Sequence, residues 1–291
     1  MKVLVVGGGG MLGHKLVQVF SREFDVFTTL RDTLDRYARF GIFDPAKTFE
    51  KIDVEDIGAI DAIFEKIRPD VVVNAVGLIK QLPNSADVIE ALTVNSIFPH
   101  RLAQVAAKHG SRLICISTDC VFSGEKGNYT ERDVPDAFDL YGRSKNLGEV
   151  TSDGCLTIRT SIIGRELRSE HSLVEWFLAK AGSTVKGYRK AIFSGFSTLE
   201  LAEILTNVIR EHPALYGLYH VSSDPITKFD LLGLIKSAYK IQIEVEPSDD
   251  VKIDRSLDST RFREATGIIP AGLPEMIEDM AKDTTAYEKG Q

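Results

Sequence analysis

Through the first half of the chain, short apolar runs alternate with longer stretches of helical period. Residues 3–6, 25–29, 71–75, 113–117 and 156–160 read as strands, with 11–20, 57–66, 88–109 and 141–150 as helices between them. The Val-rich runs are nearly continuous rather than alternating. That suits strands buried on both faces, so the expected fold class is α/β, a doubly wound parallel sheet flanked by helices. Pro99 falls inside the third helical stretch and predicts a bend or an early break there.

Beyond about residue 161 the rhythm loosens. Helical patterns cover 173–181, 198–211, 229–239 and 273–283, with short strands near 219–221 and 243–245. No repeat, low-complexity tract or Gly/Ser/Pro linker separates the halves. The expected organisation is a sheet-forming part over residues 1–160 and a smaller mixed α/β region over 161–291, interleaved with it and capping the carboxyl edge of the sheet.

Composition narrows the function classes. The 291 residues are 43% hydrophobic and 26% charged, an ordinary globular balance, and no segment approaches the roughly 18 apolar residues of a membrane span. The first residues run straight into a strand, without the pattern of a secretory signal, so a cytoplasmic location is expected. A net charge of -7 gives no electrostatic footprint for DNA or RNA. Cys115, Cys120 and Cys155 form no CxxC pair, and the six histidines show no HExxH spacing; reduced thiols and no metal are expected.

The first strand opens into Gly7-Gly8-Gly9-Gly10-Met11-Leu12-Gly13 and then a helix, which puts Gly7, Gly10 and Gly13 at GxxGxxG spacing. Glycine lets the backbone approach a pyrophosphate, and the free N–H groups of the following helix attract the anion. Strand before and helix after favour a dinucleotide loop over a flexible turn, making residues 1–160 an NAD(P)-binding Rossmann domain. About 20 positions on come Arg31 and Asp32. Arg31 suits a 2′-phosphate, so NADPH is expected as cofactor, with NADH as an alternative; the competing view of Arg31 is an ordinary solvent-exposed arginine. Asp53 and Val54, after a short third strand, are placed to meet the adenine ring; the competing view of Asp53 is an ordinary turn residue.

Tyr141 and Lys145 are four residues apart, hence on one face of a helix. A neighbouring ammonium favours the ionised phenol and eases proton transfer near neutral pH. Ser117-Thr118-Asp119 ends the preceding strand, where a hydroxyl could reach the same pocket at the sheet's carboxyl edge.

These residues resemble the extended short-chain dehydrogenases, and among them the dTDP-4-dehydrorhamnose reductases. The matching stretches are VVGGGGMLG, NAVG at 74–77, VNS around Asn95, STDCVFSG at 117–124, YGRSKNLGE at 141–149 and RTS at 159–161. Weaker likeness continues through FSTLELAEIL, LYHVSS and DRSLDSTRF, so it covers nearly the whole chain. The resemblance implies NAD(P)H-dependent reduction of a nucleotide-diphospho-4-keto-6-deoxyhexose, in deoxysugar and surface-polysaccharide synthesis, by a homodimer. Tyr141 would deliver a proton to the carbonyl oxygen, Thr118 would hydrogen-bond it, and Lys145 would hold the nicotinamide ribose and lower the tyrosine pKa. Ala75, Val76 and Gly77 would line the cofactor, and Asn95 would support the site, unless it only kinks or caps its helix.

Two departures bear on the substrate. The family usually has Tyr after the STD acid and an aromatic after RTS, whereas this chain has Cys120 and Ile162. With Asp119, both are expected near the sugar, which points to a different hexose, nucleotide or seating of the ring. Lys80, Gln81, Arg159, Tyr188, Arg189 and Arg255 are weaker candidates for substrate or phosphate contact, and Trp176 is expected in an interdomain core. Two other readings of the same fold stay open: a nucleotide-sugar epimerase or dehydratase, and a noncatalytic subunit like the regulatory partner of methionine adenosyltransferase. The dehydratases usually carry an acid pair after the active-site Thr, where this chain has Asp119 followed by Cys120.

Overall fold

A computed structural model describes residues 1–80 and 86–287. Seven parallel strands form its main sheet: β1 (Lys2–Val6), β2 (Asp25–Thr29), β3 (Thr48–Phe49), β4 (Val71–Asn74), β5 (Arg112–Thr118), β6 (Cys155–Thr160) and β10 (Gly217–His220), in the spatial order β10-β6-β5-β4-β1-β2-β3. The expected doubly wound sheet is present, with one strand more than the N-terminal pattern supplied. That strand, β10, comes from beyond residue 160 and pairs with β6 from Gly217↔Leu156 to His220↔Arg159.

The continuous Val-rich runs have a direct packing cause. Alternate side chains of β1 enter two different cores: Leu4 and Val6 pack with Ile60 and Phe64 of α2 (Ile57–Ile67) and Leu102 of α4 (Phe98–His109). Val3 and Val5 pack with Leu16 and Phe20 of α1 (Gly13–Phe20) and Leu205 of α7 (Thr198–Glu211). β4 repeats the division, Val72 to one side and Val71 and Val73 to the other. Truncating Leu4, Leu16, Ile60, Leu102 or Leu205 to Ala costs about 2–5 kcal/mol.

The helical stretch 88–109 is broken before Pro99. A short α3 (Val88–Leu92) widens into a π-helical segment over Thr93–Ile97, and α4 then starts with Pro99 in its first turn. Pro99 has no N–H to give the Asn95 carbonyl four residues back, so the regular ladder yields there. The widening puts Asn95 in a kink beside α5 (Leu140–Leu147), where a side chain on Gly148 would lie 1.9 Å from the Asn95 carbonyl oxygen.

The second half holds β7 (Ile162–Ile163), α6 (Leu173–Leu178), β8 (Thr184–Phe193), β9 (Phe196–Ser197), β11 (Ile226–Thr227), α8 (Lys228–Tyr239), β12 (Glu244–Asp254), α9 (Thr260–Thr266) and α10 (Leu273–Ala281). β7 and β9 form a ribbon, and β11-β8-β12 a small mixed sheet. The ten residues of β8 carry no strand signal because its apolar face is thin. Its pairing with β12 is laced instead by exposed charges, Lys186 with Asp250 at 2.7 Å and Arg189 with Asp249 at 2.9 Å. Trp176, expected in an interdomain core, is 37% exposed on α6. Among the described residues no helix is long and apolar enough to cross a membrane.

Candidate active site

The order of the main sheet reverses between β1 and β4, and ligands of open α/β sheets bind in the crevice at such a switch point. The turn after β1 lies on one side of it. Gly7 has φ +92°, a conformation that favours glycine, and a Cβ on Gly13 would stand 2.1 Å from the Gly7 carbonyl oxygen. Gly10 differs: it is exposed, and its nearest neighbour to an added Cβ is 3.5 Å away. The loop is thus packed tight at Gly7 and Gly13 and left open at Gly10. No side chain caps α1 after Met11 and Leu12, so its amide end is available to a pyrophosphate. These residues fit the phosphates of a dinucleotide.

Beyond β2, Arg31 is exposed, and Asp32 is held by Arg36 at 2.8 Å and Arg168 at 2.5 Å. The Arg168 and Arg36 hydrogen bonds keep the Asp32 carboxyl below its ordinary range. Two guanidiniums therefore neutralise the acid beside Arg31. β3 ends at Phe49, earlier than expected, and the exposed Asp53 sits in the turn before α2, accepting the Glu55 amide at 3.0 Å. Val54 packs on the core formed by Leu4 and Phe64.

Across the crevice, the Ala75 amide donates to the Val6 carbonyl at 3.0 Å, and a Cβ on Gly7 would meet the Val76 side chain at 2.7 Å. The exposed Gly77 faces Asn95 and α5: its Cβ position is 3.6 Å from Asn95 Oδ1 and 3.9 Å from Lys145 Nζ. Asn95 is fully engaged. Its Oδ1 accepts the Leu78 amide at 2.8 Å, while its Nδ2 donates to the Leu78 carbonyl at 3.0 Å and to Ser144 Oγ at 3.1 Å. One residue thus occupies the helix kink and also ties the strand-four loop to α5.

Thr118, at the end of β5, is buried; its hydroxyl accepts the Cys120 amide at 3.1 Å and donates to Asp119 Oδ1 at 3.1 Å. Ser117 points elsewhere, donating to Glu149 Oε1 at 2.7 Å. The sequence-based expectation for the phenol needs correction. Burial pushes the Tyr141 pKa up, with the Cys120 thiol adding to the effect and the nearby Thr118 hydroxyl opposing it, so the group is held protonated. The Lys145 ammonium donates to the Ile116 carbonyl at 2.8 Å and is itself pushed down by burial. Burial is the largest influence on both groups.

Asp119 and Cys120 follow Thr118 in one helical turn. Burial raises the Asp119 pKa against the opposing charge of Arg255, and pushes the Cys120 thiol up to about 11, far from an activated thiolate. Arg255 donates to the Phe122 carbonyl at 2.7 Å and lies 3.9 Å from Cys120 Sγ. Ile162 sits in the β7–β9 ribbon and packs on the main core. Arg159 does not reach outward: it is buried in a two-pronged pair with Glu149, both bonds 2.7 Å. Arg189 and Tyr188 belong to β8, and Gln81 lies outside the described residues.

Two positioning groups escaped notice in the sequence. Asp139 caps α5, accepting the Gly142 amide at 2.8 Å, and was legible as an acid just before a helix. Glu149 joins Ser117 to Arg159, a meeting of distant residues with no local signal.

The sheet, the glycine loop and the grouping of Thr118, Tyr141 and Lys145 at one edge define an extended short-chain dehydrogenase/reductase. Residues 1–261 match the RmlD substrate binding domain family, and the chain belongs to it. It is 27% identical over 299 residues to the dTDP-4-dehydrorhamnose reductase of Aggregatibacter actinomycetemcomitans, covering 93% of this chain and 95% of that one. A solved structure of a hypothetical dTDP-4-dehydrorhamnose reductase from Sulfolobus tokodaii superposes with a TM-score of 0.76 at 28% identity, over 91% and 94% of the two chains. The chain is also 27% identical over 257 residues to methionine adenosyltransferase 2 subunit beta of Danio rerio, covering 82% of this chain and 74% of that one.

Proposed function

We propose that the protein is an NADPH-dependent reductase of a nucleotide-diphospho-4-keto-6-deoxyhexose, able to accept NADH less well. The observation that carries this reading is the pairing at the sheet's carboxyl edge of a half-buried Tyr141 phenol, held protonated, with the buried Thr118 hydroxyl at the end of β5. When bound, NADPH supplies the hydride that the carbonyl carbon accepts. Tyr141 delivers its phenol proton to the carbonyl oxygen, and Thr118 hydrogen-bonds the same oxygen as negative charge develops there. Lys145, beside Gly77, holds the nicotinamide ribose. Gly7, Gly10, Met11, Leu12 and Gly13 receive the pyrophosphate, while Ala75, Val76 and Gly77 line its middle stretch. With Asp32 neutralised by two guanidiniums, Arg31 meets a 2′-phosphate without a competing carboxylate.

Residues 161–291 supply most of the sugar-nucleotide surface in this reading. Asp119, Cys120 and Ile162 stand on the sugar side, where Cys120 leaves room that a tyrosine would fill. The similarity to a methionine adenosyltransferase subunit over 82% of the chain favours, as a second reading, a regulatory role on the same fold.

The test is NADPH absorbance while purified protein is offered a panel of nucleotide-linked 4-keto-6-deoxy sugars, with Tyr141→Phe as control. Substrate-dependent loss of NADPH that falls by about 10²–10⁴ in the variant supports the reductase. NADPH binding without turnover across the panel shifts the assignment to the regulatory reading. Retained NAD with sugar interconversion and no net NADPH oxidation would indicate an epimerase or dehydratase.

A further inference from the structure

The segment 283–287, which follows α10, crosses to α1 and is bonded there immediately behind the glycine loop. Asp283 Oδ2 lies 2.5 Å from Lys15 Nζ, and Thr285 Oγ1 accepts from Gln18 Nε2 at 2.9 Å. The Tyr287 hydroxyl is 3.0 Å from His14 Nε2 and 2.5 Å from Asp283 Oδ2, and the Arg165 guanidinium covers its ring at 4.6 Å. His14 is fully buried, and its Nδ1 stands 2.9 Å from the Gly10 carbonyl oxygen.

The chemistry of the groups orients this chain of bonds. A carbonyl only accepts, so the Gly10 contact requires the proton on His14 Nδ1; in the neutral ring Nε2 is then an acceptor, and the single proton of the Tyr287 hydroxyl lies between Asp283 Oδ2 at 2.5 Å and this nitrogen at 3.0 Å. The Gly10 carbonyl consequently receives two donors, the His14 ring and the His14 amide at 3.1 Å. In a trans peptide the C=O and the next N–H point in opposite directions. Fixing the Gly10 carbonyl toward His14 therefore aims the Met11 amide the other way, out of the open end of the loop.

We propose that His14 and Tyr287 are positioning residues of the dinucleotide site: the segment 283–287 locks the Gly10–Met11 peptide through the His14 ring, so its docking and dinucleotide binding are coupled. The inference rests on the assignment of this loop to NADPH. By reciprocity, bound dinucleotide holds the segment down as firmly as the segment prepares the loop. Sequence reading could not find the pair, because 273 positions separate His14 from Tyr287.

Tyr287→Phe keeps the ring and its packing while removing the hydroxyl, and Ile235→Val, in the buried face of α8, serves as a stability control. Measured are NADPH affinity by fluorescence titration, KM and kcat, and amide exchange of residues 10–14 in the dinucleotide-free proteins. In Tyr287→Phe the Kd and KM for NADPH should rise about three- to ten-fold, the loss of part of one hydrogen bond. Its kcat at saturating NADPH should stay within about two-fold and its loop amides should exchange faster, while Ile235→Val leaves Kd and loop exchange unchanged. Wild-type affinity and loop exchange in Tyr287→Phe would overturn the proposal, as would an equal loss of affinity in Ile235→Val. Failure of the wild-type protein to bind any dinucleotide would overturn the cofactor reading itself, and is seen separately.

Discussion

Lys80 Nζ lies 2.7 Å from Asp139 Oδ2 and 5.5 Å from the centre of the Tyr141 ring, so one ammonium spans the cap of α5 and the face of the Tyr141 phenol. Asp139 also accepts the Gly142 amide, and the two bonds can be separated by mutation. Asp139→Asn keeps the cap and loses only a partly exposed ion pair, worth about 0–1 kcal/mol. Asp139→Ala loses the cap as well, costing about 1 kcal/mol more and loosening the turn that carries Tyr141. Thermal denaturation and kcat should rank wild type, Asn and Ala in that order; an Ala variant equal to Asn in both would show that the cap does not position the phenol.

The glycine loop makes opposite predictions at two positions. Gly13→Ala drives a methyl group to 2.1 Å from a backbone oxygen that cannot easily move, and should cost about 3 kcal/mol or more, seen as a lowered melting temperature or insoluble protein. Gly10→Ala meets nothing nearer than 3.5 Å and should fold normally. Its methyl group instead occupies the approach of the pyrophosphate, so NADPH affinity should fall about ten-fold or more in a binding titration.

The pH dependence of turnover follows from burial. Desolvation raises the Tyr141 pKa above the ordinary 10, so the proton-donating form persists through neutral and mildly alkaline pH. Lys145 is pushed the other way, below the ordinary 10.5, and loses its charge first. A kcat/KM profile should therefore show no alkaline loss from Tyr141, and any decline should track NADPH affinity through Lys145. A decline in kcat at saturating NADPH that disappears in Lys145→Met would contradict this order.

Stability should fall on the acid side before carboxylates titrate. Burial lowers the His14 pKa to about 4, and burial together with the Arg159 cation lowers that of His220 to about 4, against the ordinary 6.5. The unfolded chain takes up these protons first. Each histidine's contribution, about 3 kcal/mol at most, is complete above pH 6.5 and is lost as the pH falls through 4. Denaturant unfolding at pH 7 and pH 5 should show the drop, and His220→Gln should flatten it; equal stability at both pH values would place these rings in contact with water.

The continuous Val runs of β1 and β4, the glycine spacing and the Tyr141–Lys145 repeat are local patterns, because each expresses one element's period or one turn's geometry. From them the chain by itself determined the parallel sheet and the loop after its first strand, and it pointed to Thr118, Tyr141 and Lys145 as the reactive groups. Tertiary structure decided what periodicity cannot encode. β8 has too thin an apolar face to announce a strand and is held by its backbone pairing with β12, from Glu244↔Thr184 to Asp254↔Ile192; β10 joins the main sheet only because β6 offers it an edge. Arg159 turns inward because Glu149 waits there. The protonated state of Tyr141 is set by desolvation, which depends on everything packed around the phenol and not on the lysine four residues away. His14 and Tyr287 meet for the same reason: burial and distant pairing belong to the whole chain, whereas spacing belongs to a few residues.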